Sequence, residues 1–207
     1  MSPSIDLGAA VLRLEHDGFF LGLEIKPSVL GDSVPYWVDK GPGVYVDAHL
    51  HCAPIGQIAS DPQVLNVVRA YFRCEPKLVE CKLFVTDGDT TDPLAAGYHF
   101  DHAGPRSLNV MAYLTPVNED NGPHVLVAGT QRHKRLRDYL RELTPIHIVD
   151  RRYPGRVHTI TGPAGTVLIE NAEIFHRRLQ AKRRRVAIIA VYSTSRRRIL
   201  SVGRDPR

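Results

Sequence analysis

Gly165-Thr166-Val167-Leu168-Ile169-Glu170, then Phe175-His176, then Arg185-Val186-Ala187-Ile188-Ile189-Ala190-Val191-Tyr192-Ser193 is the stretch on which the fold turns. Two apolar runs of strand length flank a histidine, and the turn Pro163-Ala164-Gly165 precedes them. Runs rich in Val and Ile suit a pleated, half-buried surface. Because strand side chains alternate with period two, Arg185 shares a face with Ala187, Ile189 and Val191. If that face points inward, a guanidinium is buried, which is costly without an anion. A bidentate carboxylate would offset that cost.

The same texture extends backwards. Short strands are expected at Leu78–Thr86, Ser107–Thr115, His124–Ala128, Val157–Ile160 and Thr166–Glu170, with Asn121-Gly122-Pro123 a further turn. Ser60-Asp61-Pro62 offers an N-cap acid before a first-turn proline. Val64, Val67, Val68 and Tyr71 follow at helical spacing, so a helix is predicted over 62–73. Leu136, Tyr139, Leu140 and Leu143 make a second helical stripe, with arginines on the other face. Residues 1–58 are dense in turn formers, with short strands expected at Phe19–Ile25 and Val44–Ala48. Many short strands with helices outside them predict a mainly β fold, a jelly-roll or cupin-like barrel with flanking helices. The 207 residues suffice for one such domain, spanning 1–207.

Composition narrows the class. Hydrophobic residues at 43% and charged residues at 24% match an ordinary soluble protein. The net charge of +5 comes mostly from arginines clustered at 132–135, 151–152, 177–178, 182–185 and 196–198. These form either a solvated basic surface or an attractor for an anionic substrate or nucleic acid. Three cysteines, Cys52, Cys74 and Cys81, contain no CxxC pair, which argues against a disulfide framework or zinc knuckle. They fit a reducing compartment, so a cytoplasmic location is expected. The first apolar run is broken by Arg13 and Glu15, so neither a signal peptide nor a membrane partner is expected.

Tyr98-His99-Phe100-Asp101 carries the chemistry. In an extended segment His99 and Asp101 lie on one face. A distant strand's histidine would complete a two-His-one-carboxylate facial triad, the ligand set of non-heme Fe(II) oxygenases, with three positions left open. His176, at the end of a strand, is the candidate, and Arg185 opens the next strand. Asn109 shares a strand face with Met111 and Tyr113. It is either a hydrogen-bonding residue for a cosubstrate or an ordinary strand polar group.

His99-X-Asp101, Asn121-Gly122-Pro123, Gly129-Thr130, Gly165-Thr166-Val167-Leu168, His176 and Arg185-Val186-Ala187 occur in that order. Together they resemble the phytanoyl-CoA dioxygenase-like branch of the Fe(II)/2-oxoglutarate oxygenases. Asp17-Gly18-Phe19 is similar to that branch's N-terminal strand entry. The resemblance implies a double-stranded β-helix holding Fe(II) through His99, Asp101 and His176. It further implies 2-oxoglutarate and O2 on the open positions, and Arg185 clamping the far carboxylate, with Arg184 and Arg183 as rivals. The implied reaction couples oxidative decarboxylation of 2-oxoglutarate to hydroxylation of a small organic, possibly anionic, substrate. Related halogenases carry Gly or Ala where Asp101 stands, so the aspartate favours hydroxylation. Two departures stand out. Gly129-Thr130-Gln131 replaces the usual Gly-Ser/Thr-His, and the chain is short for substrate-covering insertions.

Other residues invite weaker readings. Alternation turns His102 away from Asp101's face, while His124 and His133 read as structural or solvent-facing. His49-Leu50-His51 has ligand-like alternation, with Asp47 on the same face. Arg106, Arg177 and Arg178 flank the candidate ligands and could meet an anionic substrate, or form a solvated rim. Tyr98 could pack beside the metal or face outward. Two competing functions remain. A nucleic-acid oxidative demethylase would need a stacking platform; with 7% aromatics and one tryptophan, Trp37, a nucleic-acid partner is not expected. A non-catalytic cupin-like metal-binding protein would pair Arg185 with Glu170 or Glu173.

Overall fold

A computed structural model describes residues 5–88, 93–101 and 106–195. Helix α1 (Leu7–His16) leads into β1 (Phe19–Glu24). Helix α2 (Pro27–Trp37), β2 (Gly43–Tyr45), α3 (Ala48–His51), α4 (Ala53–Ala59) and α5 (Pro62–Phe72) follow. The strand-rich remainder runs β3 (Lys77–Thr86), β4 (Gly97–Tyr98), β5 (Ser107–Tyr113), β6 (His124–Val127), α6 (Leu136–Tyr139) and β7 (Thr144–Pro145). It continues with α7 (Ile146–Arg152), β8 (Val157–Ile160), β9 (Thr166–Asn171), β10 (Phe175–Arg178) and β11 (Arg185–Ser193).

Six strands form one antiparallel sheet in the order β1-β9-β5-β11-β3-β2, and β10-β6-β8 form a second. Alternation along the large sheet separates two cores. One face sends Leu83, Val85, Val110, Ala112, Val167, Ile169, Val186 and Ile188 against the helical layer, which contributes Leu14, Ile55, Val64, Val67 and Val68. The other sends Met111, Tyr113, Leu168 and Ala187 against Leu126 and Ile160 of the small sheet. A third cluster covers the small sheet's outer face, where Val125, Val127 and Phe175 meet Val149 and Tyr153. Two antiparallel sheets face to face, with helices outside, make a double-stranded β-helix or jelly roll, as the strand pattern predicted.

Local signals explain several boundaries. The Asp61 side chain accepts from Gln63 N–H at 2.8 Å and Val64 N–H at 3.3 Å, capping α5 with Pro62 in its first turn. Gly18, at φ +84°, turns the chain between α1 and β1, and a Cβ there would lie 2.6 Å from Gln131 Oε1. This turn packs the Asp17-Gly18-Phe19 entry against the 129–131 segment.

Three expectations need correction. The stripe at 136–143 forms helix only over Leu136–Tyr139, and Leu136 and Leu140 stand 79% and 80% exposed. Only Tyr139 of that set stacks, edge-on against Phe100 at 5.2 Å. The strand expected over Val44–Ala48 ends at Tyr45, because Asp47 turns left-handed at φ 52° and α3 starts at Ala48. His49 and His51 therefore sit two positions apart on a helix and do not share a face. Among the described residues no helix is long and apolar enough to cross a membrane. His102 and the arginines at 196–198 lie outside the described residues.

Candidate metal centre

His99 extends β4 by one residue and forms an isolated antiparallel bridge with His176. His99 N–H donates to the His176 carbonyl at 2.9 Å, and His176 N–H donates to the His99 carbonyl at 2.8 Å. Their imidazoles meet edge to face, centroids 4.4 Å apart. Asp101 N–H donates to the Ala172 carbonyl at 2.8 Å, seating its carboxylate beside the same pair. The donor atoms of His99, Asp101 and His176 all fall within 4.8 Å of one another, with His176 Nε2 3.8 Å from Asp101 Oδ2. His176 is buried, whereas the Asp101 side chain is 44% exposed, so the group opens to solvent on the aspartate's side.

Two nitrogen donors and one carboxylate suit a divalent metal, and the surroundings prepare them for it. Burial, with His176, His124 and Arg178 nearby, pushes His99 down to about 2, which leaves a neutral imidazole with a free lone pair. His99 Nδ1 is buried without a hydrogen-bond partner among the described residues. His176 Nδ1 faces the Ile174 carbonyl at 3.1 Å; donating there, it leaves Nε2 as the free nitrogen on Asp101's side.

A second trio lies deeper. His124, Glu170 and His176 also bring three donors within 4.8 Å, all of them buried. Here His124 Nε2 and Glu170 Oε2 are 2.9 Å apart. Burial is the largest influence on both groups. It lowers His124; Glu170, which burial alone would raise, is held below the usual carboxylate range by His124, His176 and Asn109. A neutral imidazole donating to a carboxylate satisfies both directions. His176 is common to the two trios, and its Nδ1 is engaged by the Ile174 carbonyl. We therefore take the outer trio as the metal candidate and the inner one as a hydrogen-bonded network.

Asn109 joins the two. Its Nδ2 donates to Asp101 Oδ2 at 2.8 Å and to Glu170 Oε1 at 3.4 Å. The amide nitrogen that could have met a cosubstrate thus bridges two carboxylates. In the sequence reading neither His124 nor Glu170 has a place at the site: His124 is structural or solvent-facing, and Glu170 only a candidate partner of Arg185. A signal existed: His124 alternates with Leu126 and Glu170 with Leu168, and both leucines point into the inter-sheet core.

Arg185 lies inside the same space at 2% exposure, and its Nη1 donates to the Gly122 carbonyl at 2.5 Å. Gly122 holds φ +66°, and a Cβ there would meet the Leu179 carbonyl at 2.7 Å. Arg184 points the other way. It reaches Asp87 at 3.2 Å and the carbonyls of Trp37, Val38 and Lys40, tying β11 to the end of α2. Glu170 turns to His124 and Asn109, and Glu173 lies 3.5 Å from Lys134 Nζ. Arg106 rests on the Tyr71 ring, Arg177 on Tyr98 and Arg178 on Phe84. Tyr98 is buried in the outer cluster of the small sheet, on the side away from His99.

No protein-family model matches the chain, and no curated protein matches it in sequence. Solved structures share its fold. EctD from S. alaskensis, solved with 2-oxoglutarate and 5-hydroxyectoine, aligns with a TM-score of 0.68 at 17% identity, covering 89% of this chain and 75% of its own. SnoK, a non-heme α-ketoglutarate-dependent carbocyclase from nogalamycin biosynthesis, gives 0.70 at 15%, covering 89% and 82%. HygX from Streptomyces hygroscopicus, with nickel and 2-oxoglutarate bound, gives 0.70 at 17%, covering 92% and 88%. At these identities the likeness establishes the jelly-roll fold.

Proposed function

We propose that this chain is an Fe(II)- and 2-oxoglutarate-dependent oxygenase of the hydroxylating type, related to the phytanoyl-CoA dioxygenase-like branch. The observation that carries this reading is the meeting of His99, Asp101 and His176 between two sheets that also enclose Arg185. The fold shared with EctD, SnoK and HygX supports it.

His99, Asp101 and His176 would hold the metal, and Arg185 would bind the distal carboxylate of 2-oxoglutarate. Bound there, Fe(II) and 2-oxoglutarate would supply the oxidising chemistry, in which O2 converts the oxo acid to succinate and CO2 and one oxygen atom enters a substrate C–H bond. The protein's own part is positional. Asn109 fixes the carboxylate of Asp101, burial keeps His99 neutral, and Met111, Leu126 and Leu168 exclude water behind the ligands. A small organic substrate would reach the metal on the side of Asp101, the ligand that is open to solvent. A polar cavity of about 440 Å³, lined by Tyr71, Arg106, Arg132, Asn171 and Glu173 among others, has none of the three ligands in its wall.

Succinate release tests the reaction. Purified protein with Fe(II), 2-oxoglutarate and O2, challenged with small carboxylated and aminated compounds, is expected to release succinate faster with a true substrate. Protein that holds Fe(II) yet never decarboxylates 2-oxoglutarate would contradict the reading.

A further inference from the structure

Glu170 ends the apolar run Val167-Leu168-Ile169 and is 1% exposed, in an inter-sheet space that holds Met111, Leu126 and Leu168 beside the buried polar groups of Asn109, His124, His176 and Arg185. An isolated carboxylate there carries a heavy desolvation penalty. Glutamine has nearly the same shape and could meet the same neighbours without that penalty. The contacts suggest what the charge is for. Oε2 accepts from His124 Nε2 at 2.9 Å, while Oε1 accepts from Asn109 Nδ2 at 3.4 Å and lies 3.9 Å from His176 Nδ1. Asn109 stands directly opposite Glu170 in the β5–β9 register, and the same amide nitrogen reaches Asp101 Oδ2 at 2.8 Å. One buried carboxylate thus lies within ion-pair distance of one candidate ligand and reaches another through a single amide.

We propose that Glu170 is the positioning residue of the metal centre, orienting His176 through its Nδ1 side and Asp101 through Asn109. The inference rests on reading His99, Asp101 and His176 as the ligands. The Ile174 carbonyl takes the Nδ1–H of His176 at 3.1 Å, and the negative charge 3.9 Å behind that imidazole favours the same tautomer and strengthens Nε2 as a donor. Asn109, held between two carboxylates, keeps Asp101 Oδ2 from rotating away. His124 satisfies the remaining oxygen, so the carboxylate can stay buried and charged.

Co(II) is a suitable probe, with affinity measured by competition against a chromophoric chelator and the ligand field read from the Co(II) visible bands. The wild-type chain is expected to bind one Co(II), and His99→Ala to lose that binding. Glu170→Gln, which preserves shape but removes charge, is expected to weaken Co(II) by about 10–100-fold and to shift the visible bands, with circular dichroism unchanged. Asn109→Ala leaves the Glu170–His176 contact in place and is expected to lose several-fold less than Glu170→Gln. If Glu170→Gln fails to fold, Glu170→Asp, which keeps the charge, is expected to retain binding better than Glu170→Ala; equal loss in those two overturns the proposal. Glu170→Gln with wild-type affinity and spectrum, beside a dead His99→Ala, overturns this inference and leaves the proposed function standing. Binding that survives His99→Ala but is lost in His124→Ala places the metal in the inner trio and overturns both.

Discussion

His99 and His176 exchange both of their backbone hydrogen bonds, at 2.9 and 2.8 Å, so the main chain fixes the two residues side by side, with their imidazoles edge to face. A site built on paired backbone keeps its geometry when one ligand is removed, which makes ligand substitutions readable as chemistry.

Arg185 and Arg184 are adjacent but serve opposite faces. Arg185→Ala removes the donor to a buried carbonyl and is expected to cost about 1–3 kcal/mol of stability and to weaken 2-oxoglutarate binding. Arg184→Ala breaks a partly exposed latch to Asp87 and to the end of α2. It is expected to cost under about 1 kcal/mol and to leave 2-oxoglutarate affinity unchanged. Denaturant titration and calorimetry check the pair.

Leu136 and Leu140 project into solvent, so exchanging either for serine is expected to change stability by less than about 0.5 kcal/mol. Leu126, fully buried between the sheets, is the contrast. Leu126→Ala is expected to cost about 2–5 kcal/mol. Similar losses at all three positions would mean that the 136–143 stripe packs after all.

Burial, first among the causes, raises Tyr98, Tyr113 and Tyr192 above the ordinary phenol value. The sign follows directly. The folded state holds these protons more tightly than the unfolded chain, so the stabilisation is complete below about pH 10 and is lost as pH climbs through the raised values. Of eight tyrosines, these three are expected to ionise only with unfolding. In an alkaline titration their phenolate absorbance should rise together with the loss of circular dichroism. Ionisation of all eight before any unfolding would contradict the burial.

Much of the β architecture was legible because its strands are short, nearly continuous apolar runs, buried on both faces and bounded by turn residues. Val157–Ile160 and Arg185–Ser193 have the expected bounds, and α5 follows its cap and stripe. The helical layer over residues 7–59 was hidden for a physical reason. Its helices are short, Pro35 lies inside α2, and Pro54 sits in the first turn of α4. Prolines and glycines that read as loop were first-turn residues or were tolerated by packing against the large sheet. At the site, His-X-Asp was visible because both ligands lie on one short segment. His124 and Glu170 escaped because each is a lone polar residue at the end of an apolar run, where a polar residue ordinarily marks the strand's exit. Only the register that sets β6 beside β10, and β9 beside β5, brings them to His176.

The most direct test is anaerobic titration of the metal-free chain with Fe(II) and then 2-oxoglutarate, followed by visible absorption. The account predicts a metal-to-ligand charge-transfer band that saturates at one equivalent of each, disappears in His99→Ala and is weakened in Arg185→Ala. A well-folded chain that shows no such band, or shows it undiminished without His99, would contradict it.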